Sequence, residues 1–259
     1  MTQSIAEVQV LPQRPMFVTV TAVRRLSPRM ARITLAGPSV RDFAYSGPDQ
    51  LARVFFPVST DFRLPQTDRW WPELQAMPDE RRPVLRNYTV RRIDRASGEL
   101  DIDFVLHGDS GPASAWACSA VPGDRLGILS DGSFYRPGDA DWQLIIGDET
   151  ALPAIASILE GLRTPARVLL EVGDERDALG LAAPATWLYR SGPRGSRVLE
   201  ALRETPFPEG KPYVWVAGES RLATSVRRYL VDERSLDKEQ IYFCGYWRAD
   251  RAPAQPAAV

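Results

Sequence analysis

The first half of the chain alternates apolar and polar residues with a period of two; the second half does not. Phe17-Val18-Thr19-Val20-Thr21-Ala22-Val23 and Ala31-Arg32-Ile33-Thr34-Leu35 are rich in strand formers, separated by Ser27-Pro28 and stopped by Gly37-Pro38. Ala52-Arg53-Val54-Phe55-Phe56 is a third run. Residues 61–85 then break into proline, tryptophan and charge, which reads as a long loop or an excursion from a sheet. The clearest hairpin follows: residues 86–93, the turn Arg95-Ala96-Ser97-Gly98 and a return strand over 100–106. That strand sets Leu100, Ile102, Phe104 and Leu106 on one face and Asp101, Asp103 and Val105 on the other. Pro122-Gly123-Asp124 introduces one more strand at 125–129. Six or more short strands with little helix predict a small antiparallel barrel.

After Pro137-Gly138-Asp139 the texture changes. Residues 142–146 form an apolar run without alternation, as in a strand buried on both faces, and residues 167–172, 186–189 and 213–217 repeat it. Helical stretches lie between. In the first of them Leu152, Ile155, Ala156, Leu159 and Leu162 make one stripe, Pro153 sits in the first turn and Thr150 is expected to cap. Strands alternating with helices predict a parallel sheet. The expected fold class is therefore a β-barrel plus an α/β domain: a barrel over residues 1–138, a nucleotide-binding-like parallel-sheet domain over 139–250, and a disordered tail over 251–259 rich in Ala and Pro.

Composition narrows the functions available. The chain has 259 residues, 44% hydrophobic and 25% charged, and a formal net charge of −1, so no basic excess suggests nucleic acid as a partner. Of the 32 basic residues only Lys211 and Lys238 are lysines; the arginines supply many planar forks suited to phosphate and carboxylate. No apolar run reaches the ~20 residues of a membrane helix, and the first residues lack the order of a secretion signal. Cys118 and Cys244 fit no metal spacing, and His107 is the single histidine, so no metal site is expected. A cytoplasmic protein is the expectation.

Two segments carry chemistry. In Arg86-Asn87-Tyr88-Thr89-Val90, Arg86 and Tyr88 point the same way from a strand and Thr89 the opposite way. A guanidinium beside an aromatic plane suits a flavin and its phosphate, although alone the motif is equally a plain strand. In the second, a strand ends at His107, glycines turn, and Pro112 opens a helix whose first amides, with the Ser114 hydroxyl, form an anion site fit for a pyrophosphate. One hairpin separates the two, so both meet at one end of the same strands.

Together with Gly147-Asp148-Glu149-Thr150-Ala151-Leu152-Pro153-Ala154 and Gly245-Tyr246-Trp247-Arg248, these blocks resemble the siderophore-interacting proteins, FAD-containing ferric-siderophore reductases of the ferredoxin–NADP reductase superfamily. The resemblance runs in order from about Phe17 to Arg248. It implies non-covalent FAD contacted by Arg86, Asn87, Tyr88 and Thr89, by Asp103, Val105 and His107 along the ring edge, and by Gly111, Pro112, Ala113 and Ser114 at the pyrophosphate. Thr150, Ala151 and Trp247 complete the implied cofactor contacts. It also implies a ferric siderophore as substrate, with Arg53 and Arg248 as basic substrate contacts, and NADH, NADPH or a ferredoxin as electron donor.

Two departures stand out. Gly147-Asp148-Glu149-Thr150 has one glycine and two acids where a dinucleotide fingerprint has several glycines, and acids there oppose a phosphate. Arg190, Arg194 and Arg197 are candidate receivers of an adenosine phosphate, or simply a solvated loop. In Leu129-Ser130-Asp131-Gly132, Asp131 stands where some family members carry an arginine. Two alternatives stay open: a flavin oxidoreductase with another acceptor, and a non-catalytic flavin or siderophore binder.

Overall fold

The computed structural model describes residues 14–107 and 111–250. The tail at 251–259, and Gly108, Asp109 and Ser110 of the glycine turn, lie outside the described residues.

Six strands close into an antiparallel barrel: β1 (Met16–Ser27), β2 (Met30–Ala36), β3 (Leu51–Phe56), β4 (Val84–Asp94), β5 (Glu99–Val105) and β6 (Arg125–Gly132), in the order β1-β2-β5-β4-β3-β6. Alternation does here what the sequence predicts. Val18, Val20, Ile33, Leu35, Val54, Phe56, Leu100, Ile102, Phe104 and Ile128 fill the interior. The outer face of β3 is covered by the 61–85 excursion, which folds into a short helix, α1 (Trp70–Ala76), and packs Leu64 and Leu74 against Phe55, Leu85 and Leu129. A second helix, α2 (Pro112–Ser119), caps one end of the barrel and sinks Ala113 and Ala117 into its core, with Trp116 packed alongside.

The rest is a five-stranded parallel sheet of order β11-β10-β7-β8-β9, made of β7 (Trp142–Asp148), β8 (Ala166–Val172), β9 (Thr186–Tyr189), β10 (Pro212–Glu219) and β11 (Ile241–Trp247). Both faces are buried. Ile145, Leu170 and Trp215 pack on one side with Ile155 and Ile158 of α3 (Leu152–Glu160). Leu144, Ile146, Val214 and Val216 pack on the other with α4 (Ser196–Glu204) and α5 (Ser220–Asp232). Among the described residues no helix is long and apolar enough to cross a membrane.

The start of α3 departs from expectation. Thr150 does not cap it: the N-cap is Ala151, and the Thr150 N–H and hydroxyl both donate to Asp148 Oδ1, at 2.9 and 2.5 Å. A carboxylate at the strand end is the stronger acceptor, and it takes the threonine's own donors into a tight turn.

Barrel and sheet are tied at several places. Arg91 of β4 pairs with Glu160 of α3 at 2.5 Å, and Ser157 Oγ donates to the Arg91 carbonyl at 3.0 Å. Between β1 and β2, Arg29 pairs with Asp174 at 3.0 Å and with Asp177, while Ser27 Oγ donates to Asp177 at 3.1 Å. At the centre sits Asp49, 4% exposed. Its Oδ1 accepts from Ser133 Oγ, Phe134 N and Tyr135 N at 2.5, 2.9 and 3.0 Å, and its Oδ2 from the Trp215 indole at 3.1 Å.

Candidate functional site

The barrel end under α2 is aromatic. Tyr88 on β4 stands 4.4 Å from Phe104 of β5, ring centre to ring centre, and Phe56 and Trp116 close the cluster at 5.5 Å from each other. Burial pushes the Tyr88 phenol well above its usual range, against a small opposing pull from Arg86. Arg86 lies half-buried on the same face, and burial draws its guanidinium down. A cation held in such a setting favours an anion beside it.

The start of α2 completes the arrangement. Gly111 is its N-cap, a residue with no side chain to place on the first amides, and Pro112 occupies the first turn. Ser114 Oγ accepts from the His107 N–H at 2.9 Å, which leaves the hydroxyl proton to donate. The His107 ring lies against Gly111, whose missing Cβ would stand 3.6 Å from Cε1. A helix start with a glycine N-cap and a nearby hydroxyl, a half-buried arginine and an aromatic wall are the kinds of group that can hold a flavin dinucleotide's pyrophosphate and ring system.

The other expected contacts fall in different settings. Asn87 is exposed and Thr89 is buried. Asp103 has both oxygens engaged by Arg32, at 2.7 and 2.8 Å, and Val105 packs with Met30 into the apolar seam toward the sheet. The sequence reading missed Tyr246 as an individual residue of interest: the last strand brings it near Thr89 of β4, and burial, aided by Tyr242, pushes its phenol well up. Trp247 turns the other way, donating from its indole to Asp148 Oδ2 at 3.0 Å. Thr150 and Ala151 form the Asp148 turn.

The two substrate candidates separate. Arg53, expected at a basic mouth, is 1% exposed, pairs with Asp131 at 2.6 Å and lies 5.2 Å from the Trp70 ring centre. It presents no charge to solvent. The aspartate that departs from the family pattern is therefore its ion partner, fixed by the pairing of β3 with β6. Arg248 is exposed, with Asp250 at 3.6 Å.

At the C-terminal edge of the parallel sheet, acids occupy the last or next-to-last position of three strands. Asp148, Glu171 and Glu219 are 2%, 1% and 2% exposed. Asp148 Oδ2 accepts the Glu219 N–H at 2.7 Å, Glu219 caps α5 through Arg221 N and Leu222 N, and Glu171 accepts the Gly195 N–H with both oxygens at 2.9 and 3.0 Å. Burial, aided by Glu149, pushes the Asp148 carboxyl up. Glu149 is also pushed up by burial, but Arg190 and Arg194 outweigh this and hold it below its ordinary value.

A closed antiparallel barrel followed by a parallel sheet with helices on both faces defines the ferredoxin reductase-like class. The ferredoxin reductase of carbazole 1,9a-dioxygenase shares this fold, with a TM-score of 0.65 at 19% identity over 92% of this chain and 71% of that one. Residues 19–133 match the siderophore-interacting FAD-binding domain and residues 140–250 the siderophore-interacting protein domain, so the chain belongs to the siderophore-interacting protein family. A siderophore utilization protein from T. fusca superposes with a TM-score of 0.81 at 33% identity, covering 95% of this chain and 97% of that one. The ferric vibriobactin reductase ViuB of Vibrio cholerae is 35% identical over 86% of this chain and 85% of its own length. The NADPH-dependent ferric-chelate reductase of Escherichia coli is 30% identical over 90% and 92%.

Proposed function

We propose that the chain is an FAD-dependent reductase that delivers electrons to Fe(III) in a ferric siderophore and releases Fe(II) in the cytoplasm, using NADPH, NADH or a ferredoxin as donor. The observation that carries this reading is the glycine-capped start of α2 over the Tyr88 cluster, with half-buried Arg86 on the same strand as Tyr88, in a chain whose relatives include two ferric reductases. Bound there, FAD supplies the conversion between two-electron and one-electron chemistry that reduction of Fe(III) by a nicotinamide requires. The protein's part is placement. Arg86 would offset the charge of the pyrophosphate, the Ala113 and Ser114 amides and the Ser114 hydroxyl would donate to it, and Tyr88 would pack the ring system. No acid–base side chain is needed, since Fe(II) leaves hard oxygen ligands once formed. NADPH has the support of the ferric-chelate reductase relative, and two free cysteines support a reducing compartment.

The test is a visible spectrum of the purified protein with FAD, followed by an Fe(II)-chelator colour assay on several ferric siderophores with each donor. A flavin spectrum and donor-dependent Fe(II) release are expected. Folded protein that binds neither FAD nor FMN refutes the reading.

A further inference from the structure

In open parallel sheets a nucleotide's phosphates ride in the crevice at the C-terminal strand ends, where the strand order reverses, on backbone amides at helix starts. Here the reversal lies between β7 and β10, and that crevice is already filled. The Asp148 carboxylate spans it to the Glu219 amide, and it has room because residue 218 is glycine: a Cβ there would stand 2.7 Å from Asp148 Cγ, on a backbone with φ of +138°. Glu219 holds the first amides of α5, and Glu171 holds the Gly195 amide at the start of α4. The start of α2 in the barrel has a glycine at its N-cap instead of an acid.

The basic residues at this edge are balanced in the same manner. Arg190 donates to Glu149 at 2.5 Å and to Glu171 at 3.1 Å; Arg194 donates to Glu149 at 2.9 Å and lies 4.7 Å from the Trp247 ring centre. Two guanidinium groups face two carboxylates, so the group offers a phosphate no net charge. Glu171 cannot be spared, because it also caps α4. Among the described residues Glu149 bonds the two arginines and no helix-start amide, which makes it the movable half.

We propose that Glu149 sets the affinity of this chain for the phosphates of a pyridine-dinucleotide donor, by holding Arg190 and Arg194 in ion pairs that a phosphate must break. The inference rests on the reading that such a dinucleotide feeds the flavin. Glu149→Gln keeps the side chain's size, removes one negative charge and leaves the edge with a surplus positive charge for an incoming phosphate.

The experiment compares FAD-loaded wild-type and Glu149→Gln protein in calorimetric titrations with 2′,5′-ADP and with ADP, and in anaerobic flavin bleaching by NADPH and NADH. The variant is expected to bind at least one of the two fragments roughly tenfold more tightly, the scale of one charge-assisted contact. The half-saturating concentration of the matching dinucleotide should fall in parallel. A gain confined to 2′,5′-ADP and NADPH assigns the arginines to the adenosine 2′-phosphate; an equal gain with ADP and NADH assigns them to the pyrophosphate. Folded, flavin-loaded Glu149→Gln with unchanged or weaker binding of both fragments overturns the inference. Should that variant not fold, Arg194→Ala serves: a roughly tenfold loss of fragment affinity is expected, and an unchanged affinity overturns it. Dithionite-reduced wild-type protein that yields no Fe(II) from any ferric siderophore counts instead against the proposed reductase function, and the fragment titrations do not depend on it.

Discussion

Asp49 joins the two halves of the molecule, and replacing one of its oxygens by an amide measures how much that joint contributes. In Asp49→Asn the carbonyl oxygen keeps the donors from Ser133, Phe134 and Tyr135, while the new NH2 faces the Trp215 indole N–H across 3.1 Å. Rotating the amide is worse, since the NH2 then meets three donors. A hydrogen bond to a charged acceptor contributes about 1.5–3 kcal/mol, and a buried donor left without an acceptor costs about 1–3 kcal/mol; these overlap, so a loss of about 2–4 kcal/mol is expected. Trp215→Phe removes the indole N–H together with core volume, costing about 2–4 kcal/mol by itself. In that background the asparagine opposes no donor and should cost less than about 1 kcal/mol. The double-mutant cycle should then give a coupling of about 2 kcal/mol. Urea unfolding of the four proteins, followed by fluorescence and circular dichroism, reads it out, and coincident curves from the two probes validate the free energies. A coupling below about 0.5 kcal/mol would refute the reasoning, because the indole bond would then contribute nothing that water does not.

Other predictions follow from the same contacts. Arg86→Ala should release most of its FAD on desalting, and full occupancy by absorbance would remove Arg86 from the pyrophosphate site. Asp131→Ala takes the carboxylate from a buried arginine and should lower stability by about 3–5 kcal/mol in urea unfolding, a loss that Arg53→Met in the same chain should largely recover. Arg176, and after it Arg29, hold the Asp174 carboxyl below the ordinary range. A lowered folded-state pKa gives stability that is present above the unfolded value of about 4 and lost as pH falls. The difference in Tm between wild type and Arg29→Ala, present at pH 7, should therefore hold down to about pH 4 and narrow as the pH falls further; a difference that stays constant throughout would show that the carboxylates are not the partners that matter.

Much of the fold is legible because it depends on local period. Alternation in β1 to β6 declares a half-buried barrel wall, and the unbroken apolar runs of β7, β8 and β10 declare a sheet covered on both sides. Arg86, Tyr88 and Ser114 are legible as candidates because a single hairpin separates β4 from the strand that leads into α2. What escapes the sequence is long-range pairing of charge. Asp49 sits in Ser46-Gly47-Pro48-Asp49, which reads as an ordinary turn, and its indole partner is 166 residues away. Arg53 inside an apolar run is a visible signal of something unusual, but only the β3–β6 register makes Asp131 its counter-ion. Asp148, Glu171 and Glu219 show an acid at or next to the end of three buried strands, a pattern open to inspection. Which amide each one holds depends on the strand order, and no local rule supplies that. The capping expected of Thr150 failed for the same reason: local propensity was right about the turn and silent about the stronger acceptor two residues back.

The ties between barrel and sheet carry a dynamic consequence. Arg91 with Glu160, Arg29 with Asp177, and Asp49 with Trp215 fasten three different pairs of elements, and one of them is deeply buried. Two of these ties are partly exposed ion pairs, worth at most about 1 kcal/mol each, so the buried Asp49 bond is the one that most resists parting of barrel and sheet.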